Sequence, residues 1–255
     1  MHVFIRRAAL LTAIFALTGC VSYVTPGGPA SFRALGIEKP DTAKETDFAL
    51  RERVDKKPLA EFPTAIAIAR IQGSGYCSRT EQAYGTGRYS VITGRTVETE
   101  AHLRTIGSLP MVRGVAPLNR LVLPERLQDE KDLRLGAAAV HADMLLIYTF
   151  DTQFEDKTTI PAMGTLTLGL FPNRKAKVNT TVSAALLDTR NGYVYGLSQA
   201  SAEDDQLANA WTTADAVEDC RKRTEQQAFD KLVKEFPIMW AGVVSQYGPA
   251  SGAAR

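Results

Sequence analysis

Val182-Ser-Ala-Ala-Leu-Leu-Asp-Thr-Arg-Asn-Gly-Tyr-Val-Tyr-Gly196 is the stretch whose reading decides the fold. Two β-prone runs, residues 178–187 and 193–201, flank the polar residues 188–192. Asn191-Gly192 suits positive φ at both central positions of a type I′ turn, so the stretch predicts an antiparallel hairpin. Just upstream, residues 143–150 (DMLLIYTF) are apolar on both faces and read as a buried strand. The three strands make a meander.

Further upstream, residues 129–141 (DEKDLRLGAAAVH) predict a helix, with acidic residues first and Leu133, Ala137 and Val140 at helical spacing. Residues 64–71 (TAIAIARI) read as a central strand covered on both sides. Residues 88–98 and 115–123 add two more strands, and a short helix over 100–108 is stopped by Pro110. Downstream, residues 214–236 carry Val217, Cys220, Thr224, Ala228, Leu232 and Phe236 on one stripe, so a long amphipathic helix is expected to end at Pro237. A short closing helix over 238–247 and a tail over 248–255 complete the chain. Strands alternating with helices, then a meander, predict one α/β domain over 64–247 with a mixed sheet and helices on its faces.

The N-terminal region is of another kind. Arg6 and Arg7 precede an uncharged apolar run, residues 8–17, followed by Leu17-Thr18-Gly19-Cys20. That pattern describes a secretory signal peptide, and its h-region is too short to span a membrane. Leu-Thr-Gly-Cys resembles the bacterial lipobox, which implies cleavage after residue 19 and acylation of Cys20, palmitate included. For bacterial lipoproteins an Asp after the Cys signals inner-membrane retention; Val21 stands here, which implies the outer membrane, periplasmic face. Residues 20–63 hold Pro26-Gly27-Gly28-Pro29 and a charged run at 44–57, and read as a lipidated start followed by a tether, with one short helix at 46–54.

Charge narrows the partners. The sequence has 30 Lys and Arg against 28 Asp and Glu, and the leader contains Arg6 and Arg7 but no acid, so the rest is balanced. A balanced surface argues against an electrostatic footprint for nucleic acid or anionic lipid. With Cys20 on lipid, Cys77 and Cys220 form an even pair in an oxidising compartment and are the candidates for a disulfide.

Chemistry-bearing patterns are few. There is no Gly-x-Ser-x-Gly elbow, and His102 and His141 are the histidines outside the leader. Gly73 and Gly75 follow a strand, but Ser78 stands where a dinucleotide fingerprint needs its third Gly. Glu203-Asp204-Asp205 reads as a solvated helix N-terminus rather than a metal site. No cofactor, metal or reaction is implied. Residues 164–172 (GTLTLGLFP) place Leu166, Leu168 and Leu170 on one face and Thr165 and Thr167 on the other. They fit a strand of a membrane barrel, an apolar flap for a partner, or an edge folded over the domain's own core. With Tyr193 and Tyr195, these leucines are the candidate contacts for an envelope protein or a second copy of the chain.

The strand AIAIARI, the passage RLGAAAVHADMLLIYTF and the hairpin VSAALLDTRNGYVYG resemble the curli secretion channel superfamily of periplasmic lipoproteins. That resemblance implies an anticodon-binding-domain-like α/β fold. It covers both an oligomeric export pore and smaller accessory lipoproteins. The two clear amphipathic hairpins of the channel members are lacking here, so the accessory lipoproteins, non-catalytic binding or assembly factors, are the nearer analogy.

Overall fold

The computed structural model describes residues 26–31, 51, 54–158, 174–208 and 213–249. Its centre is β1 (Thr64–Gly73). Beside β1 run β5 (Val112–Pro117), parallel along its first half, and β4 (Tyr89–Ile92), antiparallel along its last residues. On the other side β7 (Met144–Thr158) is parallel to β1, and the antiparallel β8 (Arg174–Asp188) and β9 (Val194–Ala208) follow. The short β2 (Ala83–Tyr84) flanks β4, while β3 (Thr86–Gly87) and β6 (Arg126–Leu127) form a separate ladder. The sheet is mixed, and the fold is α/β.

Two apolar layers explain why β1 and β7 are hydrophobic throughout. Ile66, Ile68, Met144, Leu146, Tyr148 and Phe150 meet α1 (Glu100–Gly107) and α3 (Thr213–Tyr247) on one face. Ala67, Ala69, Ile71, Leu145 and Ile147 pack with Leu133 and Ala137 of α2 (Glu130–Ala139) on the other. Period-2 side-chain alternation sends neighbouring residues to opposite layers. Asp129 caps α2, its side chain accepting from Lys131 N. Gly196 lets α3 approach β9: a Cβ there would lie 2.7 Å from Met239 Sδ.

Four expectations are corrected. The β8–β9 connection is no two-residue type I′ turn. Gly192 alone in it has positive φ (72°), Gly192 N donates to Asp188 O, and Asp188 N to Tyr193 O, so the loop is longer. Pro237 does not end the helix: α3 runs through it to Tyr247, although Pro cannot donate the backbone hydrogen bond at that position. Its stripe extends to Trp240 and Val243, and buried Trp240 donates to Pro110 O. Residues 20–63 are not all tether. Pro29 bridges to Gln72, and Ala30 is buried with its N–H on Thr149 Oγ1. Leu59 N and Ala60 N bond Asp188 and Tyr195, and Phe62 packs on Trp240. Glu203-Asp204-Asp205 lies within β9, where Glu203 pairs with Lys177 and Asp204 with Arg223.

The three long strands outrun the rest of the sheet. β7 and β8 pair from Met144↔Asp188 to Thr158↔Arg174, yet β1 ends beside Phe150, whose carbonyl accepts from Gln72 Nε2. Residues 151–158 therefore run, paired with β8, past the end of β1, where Thr152 still bonds Glu225 of α3 and Val178, Thr180 and Ala202 stay buried.

Candidate functional site

Arg70 occupies an inward position of β1, in line with Ile66 and Ile68, where the pattern calls for an apolar residue. Opposite it, Glu218, Arg221 and Glu225 lie at i, i+3 and i+7 of α3 and share one helix face. Arg70 bonds Glu81 Oε1 at 2.8 Å and Glu225 Oε2 at 3.0 Å, and its guanidinium lies 4.6 Å from the Phe150 ring centroid. Arg221 reaches Glu225 Oε2 at 2.7 Å and Glu218 through two contacts of 2.8 and 3.1 Å. Hydroxyl donors complete the set: Tyr76 and Thr96 on Glu81, Thr80 on Glu218, and Thr152 on Glu225. All five charged residues are at most 4% exposed.

The electrostatics follow from burial and pairing. Burial pushes the Glu81 carboxyl up, but Arg70, the Thr96 and Tyr76 hydroxyls and Arg221 outweigh it and leave it below the ordinary range. Burial also opposes the charge on Arg70 and Arg221, and the surrounding carboxylates more than restore it. Glu98, 6% exposed and bonded by the Tyr148 hydroxyl, goes the other way: burial raises it, and Arg70 and Tyr148 offset this only in part. Tyr76 and Tyr148 are held protonated by burial.

Where β4 and β5 part along β1, a cavity of about 190 Å³ opens. Its polar lining is Arg70, Thr93, Arg95, Glu98, Asn119 and Tyr148. Arg70 Nε is buried with no hydrogen-bond partner. The cavity can take a small polar group that accepts from a guanidinium and donates to a carboxyl. The cluster escapes sequence reading because its members are far apart in the chain. The signals were an Arg at a core position of a strand and charges at i, i+3, i+7 beside an apolar stripe.

Of the residues singled out from sequence, the structure brings Tyr193 and Tyr195 into ring contact. Cys20, Leu166, Leu168 and Leu170 lie outside the described residues. The Cys77–Cys220 bridge is not formed: both thiols are free, Cys77 exposed and Cys220 on the buried face of α3, where burial raises its pKa. Tyr195 is no surface contact; it is 8% exposed and its hydroxyl donates to Asp188 Oδ2 at 2.8 Å. Tyr193 is half-buried, edge-on to Tyr195 and Tyr247 and hydrogen-bonded to Tyr247. His102 is half-buried on α1. It accepts Thr99 N at Nδ1, which places its proton on Nε2, 2.6 Å from Asp230 Oδ1. His141, at positive φ, follows the end of α2. No group of three metal-ligating side chains occurs among the described residues, and no helix among them is long and apolar enough to cross a membrane.

No family model and no curated protein matches the chain. Among solved structures it is similar to a candidate lipoprotein from Caulobacter crescentus CB15, at 16% identity and TM-score 0.28, over 44% of this chain and 81% of that one. It is also similar to a Xanthomonas campestris protein of the DUF330 family, at 13% identity and TM-score 0.36, over 75% and 92% of the two chains. Neither is described as a curli secretion channel protein, and likenesses this slight carry no argument about the site.

Proposed function

We propose that the protein is a lipoprotein of the bacterial outer membrane, anchored through acyl chains on Cys20, and that its α/β domain is a non-catalytic binding or assembly module of the envelope. The observation that carries this reading is Leu17-Thr18-Gly19-Cys20 behind a basic, then apolar leader. Val21 favours the outer membrane. The ionisable groups support binding over catalysis, since Arg70, Arg221, Glu81, Glu218 and Glu225 are spent on each other in joining β1 to α3. The cavity above them is small and polar and suits recognition. Light scattering on the lipidated protein in mild detergent tests the reading. A monomer or dimer is expected; a closed ring of many subunits overturns it in favour of an export pore.

A further inference from the structure

β4 and β5 share one side of β1 and meet along it: Ile92 pairs with Arg70, and Pro117 with Ile68. The cavity of about 190 Å³ lies at that junction. Among its lining residues Arg70, Glu98 and Tyr148 are buried, Thr93 is half-buried, and Arg95 and Asn119 are exposed, so a group can enter from their side.

Two of the buried groups have chemistry left over. The terminal nitrogens of Arg70 are engaged by Glu81, Glu225 and Tyr76, whereas its Nε is buried with no acceptor. Glu98 accepts from the Tyr148 hydroxyl, and no Lys, Arg or His among the described residues forms an ion pair with it. The balance of buried charge points the same way. Arg70 and Arg221 are two cations, whereas Glu81, Glu98, Glu218 and Glu225 are four carboxyls, all at most 6% exposed. A buried charge is favourable only when it is paired. The set is short of a cation and, at Arg70 Nε, of an acceptor, and its excess of carboxyls disfavours an anion.

We propose that this cavity binds a small primary ammonium that carries an oxygen acceptor, with the ammonium on Glu98 and the oxygen on the Arg70 Nε–H. The proposal rests on the reading of the domain as a binding module and does not use the acylation of Cys20. A cavity of about 150 Å³ takes up benzene, so this one has room for about six to eight non-hydrogen atoms. That size keeps the two groups of the ligand within a few bonds of each other.

The test is calorimetric titration of the protein, extracted in mild detergent, with three probes of equal size. Alaninamide has both groups, isobutyramide lacks the ammonium, and 1,2-dimethylpropylammonium lacks the oxygen. Alaninamide is expected to bind about tenfold or more tightly than either of the others. Glu98→Gln keeps the shape of the site but cannot take a charge, and should remove the advantage over isobutyramide. Should that variant fail to fold, the three probes on the natural chain still decide. Equal affinity for all three, or an advantage that Glu98→Gln leaves intact, overturns the proposal. Light scattering on the same sample separates the two readings. A monomer or dimer that takes up none of the probes loses the site and keeps the module; a closed ring of many subunits that takes up none loses both.

Discussion

The domain contains two charged clusters, and they are built by different rules. Around Arg70 and Arg221, cations and carboxylates are all withdrawn from water and neutralise one another. At the start of β7 and the end of β8, only the carboxylates are buried. Asp188 accepts from Leu59 N, Arg190 N and the Tyr195 hydroxyl, and Asp143 accepts from Ala65 N. Its cations, Arg113 and Arg190, stay 57% and 44% exposed at the side chain. The lesson is one of dependence. Backbone and hydroxyl donors keep Asp143 and Asp188 satisfied when an exposed arginine is lost, whereas the inner carboxylates, although hydroxyls also donate to them, hold a buried charge that the inner arginines balance.

Removing one inner cation should therefore break the comparison most visibly. Arg70→Met leaves buried Glu81 and Glu225 to share Arg221 as their cation, and a loss of about 3–5 kcal/mol is expected in urea unfolding at neutral pH. Arg221→Met should act similarly, and the double variant should cost less than the two combined. Because Glu81 is held below its ordinary value of 4.5, its contribution is present above that pH and disappears as pH falls through the folded pKa. Wild type and Arg70→Met should thus converge in acid.

Glu98 sharpens the contrast within the inner region. Its folded carboxyl is raised, so it favours the fold fully below 4.5 and loses that contribution as pH rises through the folded pKa. Glu98→Gln stays neutral and can still accept from Tyr148. It should match wild type in acid and become the more stable of the two as pH rises through the folded pKa of Glu98, read from the same unfolding curves. In the outer cluster, Arg190→Ala should cost only about 0.5–1 kcal/mol, with little dependence on pH but some on salt. Smallest of all, Cys77→Ser should change stability by less than about 0.5 kcal/mol, since no bridge is lost. A loss of about 4–5 kcal/mol would point to a disulfide after all.

These differences also explain what the sequence disclosed. The central strand, α2 and the β7–β8–β9 meander were legible because each is a local pattern: Ile66 and Ile68 alternating with alanines, Leu133 and Ala137 one turn apart, a Gly192 loop between β-rich runs. The buried stripe of α3 was legible for the same reason, from Val217 to Phe236. Its passage through Pro237 was not, because packing of Phe236, Trp240 and Val243 against the sheet overrides the local break. The inner cluster was hidden by distance along the chain, with Arg70 bonding a glutamate 155 residues away. So was the docking of residues 26–31, whose Pro-Gly composition looks like linker until Gln72 is placed beside Pro29.

The central claim is that Cys20 ties this domain to a membrane. Intact mass spectrometry of the protein extracted from membranes tests it most directly. The account predicts a chain that begins at Cys20 and bears the added mass of acyl chains on that residue. A chain that retains residues 1–19, or one with an unmodified Cys20, would contradict it.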